Sequence, residues 1–176
     1  MLAGPLSTMM LADAGADVIK VEPPAGDPAR RMGPPFWGGE STEFLALNRN
    51  KRSVALDLKT AEGRDKFLWL CRDADVIVEN YRTGVTDRLG IDYATVSAIN
   101  PRLIYCSISG FGRSGPRAGE PAYDAVMQAF VGMMASTGTP GGEPVRANIS
   151  ICDIGAAMYA NQAVLLALIA RGVTAR

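Results

Sequence analysis

The sequence predicts an open α/β fold built around a parallel β-sheet. Four short runs rich in Val, Ile and Leu have the composition of buried strands, and segments with helical spacing separate them along the chain. Strands that alternate with helices are typical of βαβ units, whose strands lie parallel in one sheet. The predicted strands are residues 18–22, 54–56, 76–78 and 103–108.

Residues that favour helix ends mark the helix boundaries. Gly15 can end a first helix over residues 6–14, and Thr60 can cap a helix that runs to about residue 72. The first helix has the position of the second half of a βα unit, so we expect a preceding strand that this sequence lacks. Further helices are predicted around residues 85–89, 93–99, 122–136 and 154–171. Gly and Pro predict loops over residues 25–41 and 110–119, with a turn at 138–144.

The composition is that of a folded domain without a strong charge bias. The 176 residues suit one domain, 48% of them are hydrophobic and 20% are charged. Lys plus Arg and Asp plus Glu both number 18, which gives no sign of a nucleic-acid or membrane partner. The longest apolar run, residues 163–170, is too short to cross a bilayer. Because the start has no basic leader, we expect a cytoplasmic location.

The cysteine and histidine content excludes several kinds of site within this sequence. The three cysteines are scattered without a close pair, which argues against a disulfide framework. There is no histidine, so no metal site is predicted, and a Ser–His or Cys–His nucleophile is excluded. Acid–base or covalent chemistry in this chain must use carboxylates, Lys, Tyr, Cys or Ser.

Asp153 is the carboxylate with the most suggestive surroundings. It follows the apolar residues 149–152 and precedes a predicted helix that begins Ile154-Gly155-Ala156. One interpretation is a plain N-cap, because the first N–H groups of a helix favour a carboxylate. The other is a nucleophile on a platform of small residues, where free N–H groups at the helix start could also hold an oxyanion.

Polar residues that follow the predicted strands suggest a site for an anionic ligand. Open α/β sheets bind ligands at the carboxyl ends of their strands. A basic cluster at residues 48–52 and Lys59 flank the second strand, and Asn80 and Tyr81 follow the third. Arg88 could add a further anion contact. The alternatives are a solvated turn for the basic cluster and an ordinary surface helix for Arg88.

In combination, these segments resemble the family III coenzyme A transferases, which include formyl-CoA transferase, carnitine-CoA transferases and α-methylacyl-CoA racemase. The resemblance runs in order along essentially the whole chain. The matching motifs are AGP at 3–5, LADAGADVIKVEPP at 11–24, NKRS at 50–53, LDLK at 56–59, ADVIVENY at 74–81, DRLG at 87–90, NPRLIY at 100–105, SGFG at 109–112, PAYD at 121–124, and DIG at 153–155 leading into LLAL at 165–168.

The resemblance implies a Rossmann-like open parallel sheet with flanking helices and an interlocked homodimer in the full-length form. Residues 1–176 would form part of the large domain, without its first strand and its C-terminal part. Asp153 matches the catalytic aspartate of the family. Coenzyme A and acyl-CoA would be substrates, with a carboxylic acid as acceptor and no tightly bound cofactor. The residues expected to contact coenzyme A are Ala3, Leu56, Lys59, Asn80, Tyr81, Arg88 and Leu89.

The implied reaction moves coenzyme A through an aspartyl mixed anhydride and an aspartyl-CoA thioester. Two alternatives remain open. A racemase or isomerase of the same family would need a histidine, and this chain has Tyr123 where the racemases carry one. A non-catalytic truncated fragment would keep the fold without a complete site. Pro23 and Pro121 stand where some members have a basic residue for coenzyme A, so the resemblance does not carry that part of the phosphate contact over to this chain.

Overall fold

Two pairs of parallel strands form the centre of the fold in the computed structural model, which describes residues 2–174. The first and fourth strands pair in parallel with Val18 opposite Lys51, and the fifth and sixth pair in parallel with Val76 opposite Ile104. All four predicted strands are present, and both of these pairings are parallel as predicted. The strands are β1 (Val18–Glu22), β2 (Phe36–Trp37), β3 (Glu40–Ser41), β4 (Lys51–Ala55), β5 (Val76–Glu79) and β6 (Ile104–Ser107).

The helices pack around these strands in the alternating order that the sequence predicts. Thr60 caps the third helix by accepting a hydrogen bond from the Gly63 N–H at 3.1 Å. Gly15, which follows the first helix, has a φ of +98°, a value that glycine adopts without strain. The helices are α1 (Ala3–Asp13), α2 (Thr42–Asn48), α3 (Ala61–Cys71), α4 (Val85–Leu89), α5 (Tyr93–Ile99), α6 (Asp124–Phe130), α7 (Met133–Thr137) and α8 (Ile151–Thr174).

The predicted single sheet is present as two separate parallel halves. Among residues 2–174, no strand ladder joins the β1–β4 pair to the β5–β6 pair. Helix α1 contacts both β1 and β5, and so it holds the two halves beside each other. The β1–β4 and β5–β6 halves are therefore joined by side-chain packing on α1 and not by backbone hydrogen bonds.

Three local predictions differ from the structure. The predicted loop over residues 25–41 contains a 3₁₀ helix at Pro28–Arg31 and the short β2–β3 hairpin. Helix α2 was not predicted; its N-terminus is capped by the hydroxyl of Ser41, which accepts from the Phe44 N–H. The helix predicted over residues 122–136 is broken into α6 and α7, because Gly132 adopts a φ of +77° between them.

Helix α8 is longer than predicted and begins three residues earlier, at Ile151. Its 24 residues make it long and apolar enough to cross a membrane by length and composition alone. The uninterrupted apolar run at residues 163–170 is shorter than the helix because Gln162 and Arg171 bound it. Helix α8 packs along α1, and 11% of its most apolar stretch is buried within the described residues.

The core is divided between the two faces of β5 and β6. On one face Ala3 of α1 and Ala160 of α8 pack with Ile108, joined by the partly buried Ala156. On the other face the buried residues Cys71, Val96 and Leu103 link α3 and α5 to the strands. The start of α1, the end of β6 and the first half of α8 are thus brought together on one face.

Candidate active site

Asp153 lies in the first turn of α8, as the third residue of the helix. The Ile154 N–H donates to the Ser150 carbonyl at 2.9 Å, so the helical pattern already includes the residues before Asp153. The interpretation of Asp153 as a plain N-cap is therefore wrong. Within residues 2–174, the Asp153 carboxylate makes no hydrogen bond or ion pair with another side chain, and the residue is only partly buried.

Asp124 takes the capping role that one of the two interpretations gave to Asp153. Its Oδ1 accepts hydrogen bonds from the backbone N–H groups of Cys152 at 2.8 Å and of Asp153 at 3.2 Å. Asp124 is the first residue of α6 and is 7% exposed. The helix N–H groups at residues 152 and 153 are thus occupied by a carboxylate. The predicted use of free N–H groups as an oxyanion site does not hold for these two.

Gln128 is one turn further along α6 and is fully buried. Its Nε2 donates to Asp124 Oδ2 at 2.5 Å and to the Ile149 carbonyl at 3.0 Å. Its Oε1 accepts from the Ala147 N–H at 2.9 Å. Asp124 and Gln128 therefore tie α6 both to the first turn of α8 and to the segment that leads into it.

Sequence reasoning gave neither residue a role. Asp124 appeared only as part of a family motif, and Gln128 was not singled out. A polar pair at i and i+4 on an otherwise apolar helix is a usable signal, since such residues share one face. The sequence does not show which groups Asp124 and Gln128 bind, because their partners in residues 147–153 lie about two dozen positions further along the chain.

The electrostatics of the first turn disfavour a thiolate nucleophile at Cys152. Burial, and next the negative charge of Asp124, raise the pKa of Asp153. Burial, followed by the charges of Asp124 and Asp153, also raises the pKa of the neighbouring Cys152 thiol. A thiol whose pKa is raised from an ordinary value above 8 stays protonated near neutral pH, so Cys152 is not present as a thiolate.

Two of the predicted coenzyme A contacts, Ala3 and Asn80, lie beside the helix that carries Asp153. Ala3 packs in the core cluster that includes Ala156, three residues after Asp153. Asn80 follows β5; its Nδ2 donates to the Ile108 carbonyl at 2.8 Å, and its Oδ1 accepts from the Gly4 N–H at 3.4 Å. The beginning of α1 and the end of β5 thus meet near the first turns of α8.

Asn80 and Tyr81 also line a cavity of about 70 Å³ beyond the ends of β5 and β6. Ser109, Gly110 and Glu120 are among its other lining residues. Tyr81 is 42% exposed, and burial of the rest of its ring raises the pKa of its phenol. This cavity stands at the carboxyl ends of parallel strands, where open α/β sheets bind ligands.

The other predicted contacts lie outside this cavity. Leu56 is buried directly after β4, with its N–H donating to the Glu22 carbonyl at 2.8 Å. Lys59 is exposed three residues later, and Arg88 is exposed on α4 beside the partly buried Leu89. A single crevice shared by Lys59, Arg88 and the Asn80–Tyr81 pair stays a prediction.

Two buried glutamates that the sequence analysis did not single out end β1 and β5. Glu22 accepts from Arg30 at 2.8 Å through each carboxylate oxygen and from the Ser53 hydroxyl at 2.6 Å. Glu79 accepts from Arg113 at 2.8 Å and from the Ser107 hydroxyl through one carboxylate oxygen, and from the Tyr81 N–H at 2.8 Å through the other. Glu22 of β1 binds the loop after β1 through Arg30 and the neighbouring strand β4 through Ser53. Glu79 of β5 binds β6 through Ser107 and the loop after β6 through Arg113. The loops after β1 and β6 are therefore pinned at the carboxyl ends of these parallel strands.

Comparison with known proteins identifies the family. The whole chain, residues 1–176, matches the family model described as CoA-transferase family III. The chain is 44% identical over 176 residues to human succinyl-CoA:glutarate CoA-transferase, covering 99% of this chain and 40% of that protein. It is 46% identical to succinate–glutarate CoA-transferase of Agrobacterium fabrum, covering 96% of this chain and 44% of that protein.

The fold agrees with this assignment. A crystal structure of a CAIB/BAIF family protein from Brucella suis superposes with a TM-score of 0.96 at 45% identity, covering 99% of this chain and 47% of that one. The chain spans less than half the length of these relatives. The chain belongs to CoA-transferase family III.

Proposed function

We propose that this chain carries the nucleophile of an enzyme that transfers coenzyme A from an acyl-CoA to a carboxylic acid, with Asp153 as the attacking carboxylate. The observation that supports Asp153 most directly is its setting. Its backbone is held by Asp124, while its carboxylate has no side-chain partner within residues 2–174. A partly buried carboxylate that no described side chain engages is free to meet a substrate.

The proposed reaction proceeds by four acyl-transfer steps. A carboxylate oxygen of Asp153 attacks the thioester carbonyl carbon of the donor, and the C–S bond breaks to release coenzyme A thiolate and leave a mixed anhydride. The thiolate then attacks the aspartyl carbonyl carbon and expels the donor acid, which leaves an aspartyl-CoA thioester. The acceptor carboxylate attacks this thioester and releases the thiolate again. In the last step the thiolate attacks the acceptor's acyl carbon and frees Asp153.

This sequence of steps needs no net proton transfer. Each nucleophile is an anion, and each leaving group departs as an anion, so the chemistry is consistent with a chain that has no histidine. A racemase or isomerase would have to move a proton on and off carbon. Tyr123, the residue in the position of the racemase histidine, is 62% exposed.

We further propose that one of the two acids is a small dicarboxylic acid. Relatives at 41–46% identity are named for transfer to or from glutarate, oxalate and mesaconate, with succinyl-CoA, acetyl-CoA or formyl-CoA as partner. Coenzyme A would be held by the residues predicted near the strand ends, among them Lys59, Asn80 and Tyr81. A homodimer and a cytoplasmic location remain part of this proposal.

The test uses the chain and an extended form, in which the chain is joined to the remaining sequence of a relative. Incubation of the extended form with succinyl-CoA and hydroxylamine should convert the Asp153 side chain to a hydroxamate, detected by mass spectrometry of its peptide. The Asp153→Asn variant should fold but lose turnover by several orders of magnitude. Full transferase activity in that variant, with deamidation excluded, would refute the proposal. In the chain alone we expect little or no turnover.

A further inference from the structure

The Gln128 side chain is bound in a way that only an amide can satisfy. It lies fully buried between two acceptors, the Asp124 carboxylate and the Ile149 carbonyl, and one donor, the Ala147 N–H. Two acceptors require the NH₂ group and one donor requires the carbonyl oxygen, so the partners fix the orientation of the amide. A buried amide is costly unless it is hydrogen-bonded, and here both of its ends are.

The position of Gln128 links it to Asp153 by two routes. Through Asp124 Oδ2 it orients the carboxylate whose other oxygen accepts from the N–H groups of Cys152 and Asp153. Through Ala147 and Ile149 it holds the segment that enters α8. Both routes meet at the same helical turn.

We propose that Gln128 is a positioning residue for Asp153, which it acts on through Asp124 and through residues 147–149. The proposal rests on the proposed role of Asp153 as nucleophile. A misplacement of about 1 Å can cost on the order of 100-fold in rate when the reacting atoms must be aligned. Gln128 does not touch the substrate in this view; it fixes the backbone from which the Asp153 carboxylate projects.

The first test uses Gln128→Met, which keeps the side-chain length but removes all three hydrogen bonds. In the 176-residue chain, the amide protons of Cys152 and Asp153 should exchange with solvent at least 10-fold faster, as measured by NMR. In the extended form, kcat should fall on the order of 100-fold with KM changed less than about threefold.

Asn100→Leu is the matched control. Asn100 also has a side-chain amide that bridges backbone carbonyls, those of Cys71, Arg72 and Ala74, but before β5 and near the far end of α8 from Asp153, where Arg171 binds Asp75. This control should lose comparable stability while keeping the exchange rates of residues 152 and 153 and the wild-type kcat. Unchanged exchange and unchanged kcat in a folded Gln128→Met protein would overturn the positioning role.

A second variant keeps the test decisive if Gln128→Met folds poorly. In Gln128→Glu the new carboxyl group can donate to Asp124 only while it is protonated, and it repels Asp124 once ionised. The Cys152 and Asp153 amides should therefore be protected from exchange with solvent at low pH. This protection should be lost as the new carboxyl group ionises, at a pH above the ordinary glutamate pKa of about 4.3. Protection that does not change with pH would overturn the proposal.

These outcomes are separate from those of the proposed function. Activity retained by Asp153→Asn would refute the role of Asp153 itself, whatever Gln128 does. Trapping at Asp153 that proceeds equally fast in the wild type and in Gln128→Met would leave the nucleophile in place and refute only the positioning role.

Discussion

Asp124 accepts a hydrogen bond from the backbone N–H of Asp153 at 3.2 Å, so one carboxylate fixes the residue that bears another. The same Asp124 oxygen accepts from the Cys152 N–H at 2.8 Å. Negative charge at a helix N-terminus is favourable, and this explains why Asp124 can remain buried there. The charge of Asp124 in turn disfavours the ionised form of Asp153 and so contributes to its raised pKa.

Replacing Asp124 by asparagine should bring the pKa of Asp153 closer to its ordinary value. Burial is the larger cause of the raised pKa and would remain, while the repulsion from Asp124 would disappear. Asparagine has one acceptor oxygen where Asp124 uses two, so either the helix N–H groups or the Gln128 amide lose their acceptor, and the loss of stability should be about 1–3 kcal/mol. Titration of the Asp153 carboxyl carbon by ¹³C NMR measures the shift.

Asp92→Asn is the control for this substitution. Asp92 caps α5 by accepting from the Thr95 N–H at 3.1 Å, so it has the same capping role at another helix. This variant should lose part of the stability that the α5 cap supplies and leave the Asp153 titration unchanged. An Asp153 titration that is the same in Asp124→Asn and in the wild type would contradict the electrostatic coupling.

The ion pair of Glu22 with Arg30 should make the chain less stable in acid. Glu22 is 4% exposed, and hydrogen bonds from Arg30 are the main cause that lowers its pKa from 4.5 to about 2. A carboxyl group with a lowered pKa in the folded state stabilises the protein above its unfolded-state pKa. That contribution, on the order of 3 kcal/mol, is lost as the pH falls from 4.5 towards 2.

Glu22→Gln should therefore reduce the free energy of unfolding strongly at pH 7 and much less near pH 2. Urea denaturation at a series of pH values measures the difference. Glu62→Gln provides a comparison, because Glu62 pairs with Lys66 on the exposed surface of α3. Its effect at pH 7 should be far smaller. Equal effects of the two substitutions would show that the buried pair adds little.

The sequence predicted the strands because they depend on local pattern, and it placed Asp153 at the start of α8, where its role as nucleophile stays a prediction. β5 is a run of three apolar β-branched residues ending at Glu79, and the structure has it within one residue of the prediction. The start of α8 was misplaced for a different reason. The acceptor that satisfies its first N–H groups is Asp124, 28 and 29 residues earlier in the chain, and no local signal identifies it.

The other differences between the predicted and the observed structure depend on the backbone conformation of single residues and on tertiary contacts. The break between α6 and α7 depends on Gly132 adopting a positive φ, whereas glycine is also compatible with a continuous helix. Gln128 is polar in an otherwise apolar turn, and only the fold shows that Ala147 and Ile149 satisfy it. Residues that act through long-range hydrogen bonds are thus the ones that sequence reasoning missed.

The close approach of Gly4 to Asn80 should make Gly4→Ala destabilising. A Cβ atom at Gly4 would lie 3.1 Å from the Asn80 Cβ, so Asn80 would have to move and would weaken its hydrogen bonds to Gly4 and Ile108. We expect a loss of about 1–3 kcal/mol, as for other overpacked sites. Urea denaturation measures it.

Gly172→Ala is the control, since no atom lies within 4 Å of a Cβ at Gly172. Gly172 lies within α8, where alanine is favoured over glycine, so this change should stabilise the chain by up to about 1 kcal/mol. A Gly4→Ala protein as stable as the wild type would show that Asn80 can shift freely. Its role in linking α1 to β5 would then have to be abandoned.

Lys59 offers the sharpest test of the predicted coenzyme A contacts, because it is exposed and makes no ion pair among residues 2–174. If its ammonium group binds a phosphate at the nucleotide end of coenzyme A, Lys59→Ala in the extended form should raise the Kd for coenzyme A about fivefold to tenfold, which corresponds to roughly 1 kcal/mol. The effect should shrink at high ionic strength, since salt screens exposed charges. Isothermal titration calorimetry measures both the Kd and its dependence on ionic strength.

Lys66→Ala is the matched control for Lys59→Ala. Lys66 is also an exposed lysine, but it already pairs with Glu62 on α3, so its removal should leave the Kd unchanged. Pantetheine, which lacks the nucleotide end, should bind the wild type and Lys59→Ala equally. A Kd for coenzyme A that is the same in Lys59→Ala and Lys66→Ala would remove Lys59 from the binding site, whereas equal weakening of pantetheine and coenzyme A would place its contact away from the phosphates.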